Sequence, residues 1–308
     1  MSDDLTARWE DPAFLASAVS WVDDRLAELG RRRTGEVEQP HVRSWATALR
    51  VPTADGPVWF KANTPELVHE VLVVDRVSGR VPDRVPALLG RDLERGWMLM
   101  ADAGERLREV VEAERSLTRW HDVLAGAASI AHALEPDVDD LVAAGVPDLR
   151  LSRLADGYAD LVARYDLEPR FAAAVPRVRD LVDELASYGV TETLQHDDLH
   201  DGQVFVREGR NLILDWGDAV VSHPFFTLSV TLEGGVAWGL DDVEDSEDIW
   251  PYVETYLARY APDRPELRAA VPPALRLGWV CRALNNPEVS GEQFSMTRLR
   301  MFLDGKPG

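Results

Sequence analysis

His196, Asp198 and Gln203, followed by Asp215 and Asp218, are the residues whose types and spacing suggest chemistry. They lie in two short runs: Gln195-His196-Asp197-Asp198-Leu199-His200-Asp201-Gly202-Gln203-Val204-Phe205-Val206, and Leu212-Ile213-Leu214-Asp215-Trp216-Gly217-Asp218. The pattern is His-x-Asp-x-x-x-x-Gln, a polar turn, then an apolar strand ending in Asp-x-Gly. Phosphoryl transfer to a hydroxyl needs an acidic residue aimed at the accepting oxygen. It also needs oxygen ligands that hold Mg²⁺ against nucleotide phosphates. The two runs contain both. Two other readings stand beside this one. His196, Asp198 and His200 are residue types that ligate Zn²⁺, as in a metal-dependent hydrolase, and an acidic loop is often only a solvated one. Neither explains the second run, and a helix-borne His-Asp dyad would not be followed at once by strands.

The spacing also dictates the elements that must position these groups. Asp198 falls in a loop ahead of a strand at 204–206. The segment 207–211 is polar and contains glycine, so it reads as a hairpin turn. The return strand 212–214 then delivers Asp215 close to Gln203, where the two could share one cation while Asp198 faces the substrate. Earlier, 58–62 reads as a strand with Trp59 and Lys61 on one face. A lysine within an apolar strand requires a partner, unless it snorkels from the strand end. Glu66 and Glu70 lie on the following helix, 65–77, whose buried face is marked by Leu67, Val71 and Val74. Glu70, one turn further in, is the preferred partner.

Together these segments resemble the aminoglycoside phosphotransferase and choline kinase family of the protein-kinase-like superfamily. Its members carry His-Gly-Asp-Leu-His-x-Gly-Asn followed by Ile-Asp-Trp or a similar run. The resemblance spans most of 42–226. It implies an α+β fold of two lobes: a small β-rich N-terminal lobe over 1–101 and a larger helical lobe over 102–308. It implies that Asp198 is the catalytic acid–base residue and Asp215 the principal Mg²⁺ ligand. Gln203 would be a second ligand, standing where most members have Asn and the maltokinase-like ones Gln, and Asp218 a further ligand or neighbour. His196 would brace the loop, with His200 in support. Lys61, held by Glu70, would touch the α- and β-phosphates. Met100, the carbonyl of Ala101 and the N–H of Ala103, just after a strand at 97–100, would receive the adenine edge. The phosphate-covering loop should fall near 43–48. It lacks glycine, leaving the hydroxyls of Ser44 and Thr47 to help.

The implied cofactors are ATP and Mg²⁺. The implied reaction moves the γ-phosphoryl group to a hydroxyl of a small molecule: an aminoglycoside, another amino sugar, a neutral sugar or a choline-like alcohol. A nucleotide-binding pseudokinase without turnover stays open, as does the hydrolase. A protein kinase is disfavoured because no Ala-Pro-Glu closes an activation segment after Asp215.

Composition narrows the partners. The chain has 308 residues, 45% of them hydrophobic and 28% charged, enough for one large domain or two lobes. Its 54 acidic and 33 basic residues give a formal net charge of −21. That argues against a nucleic-acid partner, which needs a basic footprint, and against anionic membrane surfaces. Cys281 is the single cysteine and reads as a buried helix residue. No basic-then-apolar leader opens the sequence and no run approaches the roughly 20 apolar residues of a bilayer span, so the expected compartment is the cytoplasm. Helical periodicity marks 11–29 and, strongly, 117–134, where Leu117, Trp120, Val123, Leu124, Ala127, Ala131 and Leu134 form one stripe. His121 and His132 on that helix read as structural. Further helices are expected at 152–165, 168–174, 177–188, 224–232, 248–260 and 265–284, and 241–248 as an acidic surface segment.

Overall fold

A computed structural model describes residues 6–165, 167–236 and 247–305, with backbone alone at 234, 235 and 290. The first five residues and all but the end of the acidic run 241–248 lie outside it. The chain divides into two compact units, Met1–Gly104 and Glu105–Gly308, a little beyond the boundary after residue 101 that the sequence suggests. The first is β-rich and the second mainly helical, the α+β class expected.

The first unit begins with α1 (Ala7–Glu10) and α2 (Pro12–Glu28), whose N-terminus is capped by Asp11, the carboxylate accepting from Ala13 N at 2.8 Å. A five-stranded antiparallel sheet follows: β1 (Glu38–Val42), β2 (Ala46–Val51), β3 (Val58–Asn63), β4 (Leu88–Asp92) and β5 (Trp97–Ala101), in the order β1-β2-β3-β5-β4. Alternation along β3 sends Val58, Phe60 and Ala62 to the face covered by α2, where Ala18, Val22 and Leu26 meet Leu49, Leu99 and Trp97. Trp59 and Lys61 therefore take the opposite face. α3 (Glu70–Arg80) is preceded by a 3-10 turn, Pro65–Leu67, so the expected single helix from 65 is two pieces. Strand β4 was not legible as a strand. It is an edge strand after a proline-bearing connection, with a register shift between Leu88 and Gly90, and its alternation is correspondingly poor.

The second unit opens with the short strand β6 (Glu105–Arg106) and helices α4 (Leu107–Glu114), α5 (Arg119–Ala133), α6 (Val138–Ala143), α7 (Leu151–Arg164), α8 (Pro169–Ala173) and α9 (Val175–Ser187). Strands β7 (Thr193–Gln195), β8 (Val204–Arg207), β9 (Arg210–Ile213) and β10 (Val220–Ser222) carry the two motif runs. β6-β8-β9 form one antiparallel sheet, and β7 pairs with β10. The hairpin is tighter than expected: Glu208 and Gly209, both at positive φ (52° and 78°), make a two-residue turn, and β9 starts at Arg210.

Helices α10 (Thr227–Val230), α11 (Trp250–Tyr260), α12 (Val271–Leu284), α13 (Pro287–Ser290) and α14 (Glu292–Asp304) complete the unit. The helix expected over 224–232 is instead a 3-10 turn, then α10, then a π-helical stretch, Thr231–Val236. α5 packs on α11; His121 stacks on Tyr252 with Nδ1 2.7 Å from Thr255 Oγ1, a structural role. α12 is buried nearly all round, Cys281 included. Among the described residues no helix is long and apolar enough to cross a membrane.

Candidate active site

The loop joining β7 to β8 is held from many sides. Asp197 has a left-handed backbone, φ 62°, at the position where the resembled motif has glycine. Asp is one of the few side chains that tolerates this region. It is buried, and its environment is fully built. Its N–H donates to Gln195 Oε1 at 2.7 Å, Oδ1 accepts from Gln195 Nε2 at 3.0 Å, and Oδ2 accepts from Asn285 Nδ2 at 2.8 Å. Burial pushes the Asp197 carboxyl up to about 6, against the lowering effect of Arg282 and the two amides. Leu199 O accepts from Thr231 Oγ1 at 2.8 Å, so the π-helical stretch also anchors the loop. Asp201 is paired to Arg108 through both oxygens, at 2.6 and 3.0 Å.

His196 is buried and braces the loop with one tautomer. Nε2–H donates to Leu214 O at 2.8 Å, Nδ1 accepts from Asp198 N at 3.3 Å, and the ring lies 4.7 Å from that of Trp216. Burial lowers its pKa and keeps it neutral, outweighing the nearby Leu214 carbonyl and aspartates. Both ring nitrogens are thus engaged, which removes it as a zinc ligand. Among the described residues no group of three or more His, Cys, Asp or Glu is arranged to hold a metal ion. His200 Nδ1 accepts from Gly202 N at 3.0 Å and its Nε2 lies 3.7 Å from Asp198 Oδ2.

The hairpin brings the second run back as the spacing required: Leu214 N donates to Gln203 O at 2.8 Å. Asp215 follows with a left-handed backbone, φ 62°, and opens the 3-10 turn Trp216–Asp218. Two non-glycine residues in this region within one site mark strain of the kind found at functional sites. Gln203 points its amide nitrogen toward Asp198, with Nε2 3.4 Å from Oδ2, a weak contact. A carboxylate and an amide on adjacent strand ends are hard oxygen donors of the type that suits Mg²⁺, which usually takes one or two protein ligands and completes its shell with phosphates and water.

Sequence reasoning missed Arg282. It lies in α12 with its side chain only 7% exposed. Nη2 is 2.5 Å from Asp198 Oδ1, and Nη1 is 2.9 Å from Asp218 Oδ2 and 3.5 Å from Asp197 Oδ2. Burial works against its charge, yet the three aspartates more than compensate and raise its pKa. Asn285, at the end of the same helix, also donates to Asp218 O at 2.7 Å. Arg298 on α14 is pressed down to about 10, by burial first and by the charge of Arg282 second. The signal for Arg282 was present: an arginine inside Leu277-Gly278-Trp279-Val280-Cys281-Arg282-Ala283-Leu284 needs a partner for the reason Lys61 does.

In the first unit Lys61 Nζ lies 2.7 Å from Glu70 Oε1, and Asn63 Nδ2 donates to Glu70 Oε2 at 2.7 Å. Glu70 is buried, and Glu66 does not take this place. Trp59 on the same face donates from Nε1 to Asp102 Oδ1 at 2.8 Å. Met100 and Ala103 are buried, and Ala101 N donates to Ala87 O at 2.9 Å. The expected phosphate-covering loop is corrected: the turn is only 43–45, and Thr47 is buried in β2. Its hydroxyl donates to His41 O and accepts from Gln39 Nε2, both at 2.9 Å, so it is committed to the sheet and not offered to a phosphate.

The fold is similar to that of a macrolide 2'-phosphotransferase type I (17% identity, 92% of this chain and 96% of that one covered, TM-score 0.60). It is also similar to a choline/ethanolamine kinase family protein from Mesorhizobium loti (15%, 93% and 94%, TM-score 0.63) and to an ADP-bound aminoglycoside phosphotransferase (13%, 94% and 97%, TM-score 0.59). At these identities the likeness speaks for the fold, which is that of the protein-kinase-like phosphotransferases. No curated protein sequence matches significantly. The model of the phosphotransferase enzyme family matches residues 25–270, which include both motif runs and the Lys61–Glu70 pair, and the chain belongs to that family.

Proposed function

We propose that the protein transfers the γ-phosphoryl group of ATP to a hydroxyl of a small molecule, with Asp198 as proton acceptor. The observation that carries this reading is the juxtaposition of Asp198 with Gln203, on a hairpin that returns Asp215 beside Gln203. Asp198 Oδ2 takes the proton of the acceptor hydroxyl. The hydroxyl oxygen bonds to the γ-phosphorus as the bond to the β–γ bridging oxygen breaks, leaving ADP. Gln203 and Asp215 hold Mg²⁺, which when bound neutralises charge on the phosphates. Asp218 contributes through Arg282, to which its Oδ2 is committed, while His196 and His200 keep the loop in shape. In the first unit Lys61, paired with Glu70, steadies the α- and β-phosphates. The Ala101 carbonyl and Ala103 N–H, beside Met100, bind the adenine edge. Catalysis then comes from positioning and charge neutralisation.

The similar structures include an ADP-bound aminoglycoside phosphotransferase, a macrolide 2'-phosphotransferase and a choline/ethanolamine kinase family protein, which supports a nucleotide donor and a small alcohol acceptor. A donor of this kind fits a cytoplasmic setting. The test is ADP formation from Mg·ATP with a panel of such alcohols, together with thermal stability. Mg·ATP at about a hundredfold excess over its dissociation constant should stabilise the fold by roughly 2–3 kcal/mol. Asp198→Asn should lower turnover by about 10²–10⁴-fold and leave Mg·ATP affinity within a few-fold. Mg·ATP stabilisation without turnover for any acceptor would favour the pseudokinase. No stabilisation and no ADP would end the kinase reading.

A further inference from the structure

Asp198 has two oxygens, and the structure treats them differently. Oδ1 is taken by Arg282 Nη2 at 2.5 Å. Among the described residues Oδ2 has only Gln203 Nε2 at 3.4 Å and His200 Nε2 at 3.7 Å. A carboxylate's terminal torsion is otherwise broad and close to two-fold, so an unanchored Asp198 would exchange its oxygens. Arg282 prevents that with a planar group whose other nitrogen is fixed by Asp218 Oδ2 at 2.9 Å. Asn285, three residues on, clamps Asp197 Oδ2 and Asp218 O from the same helix. Stability alone does not require the arrangement. A buried guanidinium has a large desolvation cost, and apolar residues of similar volume often serve a fold as well.

Resting on the phosphotransferase reading, we infer that Arg282 is a positioning residue for the transfer: it holds Asp198 by Oδ1 so that Oδ2 is the oxygen offered to the acceptor hydroxyl, and it locks the loop that carries Asp198 to the turn that follows Asp215. Lysine cannot replace it. An ammonium is a point charge without the fork that spans two carboxylates.

The test compares wild type, Arg282→Lys and Arg282→Ala in ADP release from Mg·ATP. Water alone, choline, ethanolamine, an aminoglycoside and a macrolide serve as acceptors. Arg282→Lys should lower kcat by about 10²-fold, the scale of a small misplacement. KM for Mg·ATP should stay within a few-fold, and stabilisation by Mg·ATP should be retained. Added guanidinium ion should restore part of the kcat of Arg282→Ala, and tetramethylammonium should not. Wild-type kcat in Arg282→Lys overturns the inference. So does a kcat loss matched by a rise in KM and a loss of folded protein, with no guanidinium rescue, because that pattern belongs to a purely structural residue. Failure of wild type to release ADP in any mixture is a different result: it overturns the phosphotransferase reading and this inference with it.

Discussion

At the scale of single residues, the site is built from aspartates whose identities were legible and whose partners were not. The hairpin that brings Asp215 back toward Gln203 was legible because the polar turn between the two apolar runs announces itself with glycine; the roles proposed for Asp198, Gln203 and Asp215 come from the family resemblance. Asp197 could not be interpreted that way. Its role depends on a left-handed backbone and on Gln195, Asn285 and Arg282, two of which arrive from a distant helix. Gln203 allows a direct test. Its amide nitrogen faces Asp198, which turns the carbonyl oxygen away from that carboxylate, where a cation ligand belongs. A glutamine reaches about 1.5 Å further than an asparagine, one carbon–carbon bond, and Mg²⁺ demands short contacts. Gln203→Ala should therefore raise the Mg²⁺ concentration needed for half-maximal ADP formation and lower turnover. Gln203→Asn should recover only part, because the backbone is set for the longer side chain. An unchanged Mg²⁺ midpoint in Gln203→Ala would remove it from the metal site.

At the scale of elements, α12 is the piece that sequence periodicity located but could not explain. It reads as an apolar helix interrupted by Arg276 and Arg282, and it is buried nearly all round. What periodicity cannot show is how closely it must approach its neighbour for Arg282 to reach the aspartates. Gly278 sets that distance. A methyl group there would collide with Ser229 Oγ on α10 and lie 3.2 Å from Phe226 O, while Ser229 Oγ is already bonded to Leu275 O at 2.9 Å. Gly278→Ala should therefore destabilise the protein by about 1–3 kcal/mol through overpacking, read as a lower denaturation midpoint. If α12 is pushed outward, turnover should fall as well. Ser229→Gly in the Gly278→Ala background should recover part of the loss, since neighbours couple. Additive effects of the two changes would show that the contact is not what limits the approach. The π-helical stretch after α10 was equally illegible. An extra residue per turn leaves no mark in apolar spacing, although Thr231 at its start bonds the loop that carries Asp198.

At the scale of the whole molecule, charge and buried histidine act in opposite directions as the pH falls. A formal charge of −21 makes the compact state self-repelling, so raising ionic strength from about 0.01 M to 0.15 M, which shortens screening from about 30 Å to 8 Å, should raise the melting temperature. Acid also reduces that repulsion, but it meets His223. This ring is buried, its Nδ1 accepts from Phe225 N at 3.3 Å, and among the described residues its Nε2 has no partner. Burial alone presses it from 6.5 down to about 3. A base held neutral by the fold contributes stability that is fully present above the unfolded value of 6.5 and lost as pH falls toward about 3. Within that window the unfolded chain binds the proton and the folded one does not. His196, also lowered by burial, adds in the same sense, whereas Asp197, raised to about 6, opposes it over its own range from 3.8. Within the His223 window each pH unit costs about 1.4 kcal/mol. The contribution of His223 can be separated by difference. His223→Gln has no charge to gain, so its denaturation midpoint should fall less than that of wild type between pH 7 and pH 4, whatever its stability at pH 7. Parallel acid limbs in the two proteins would show that His223 is not a source of acid sensitivity.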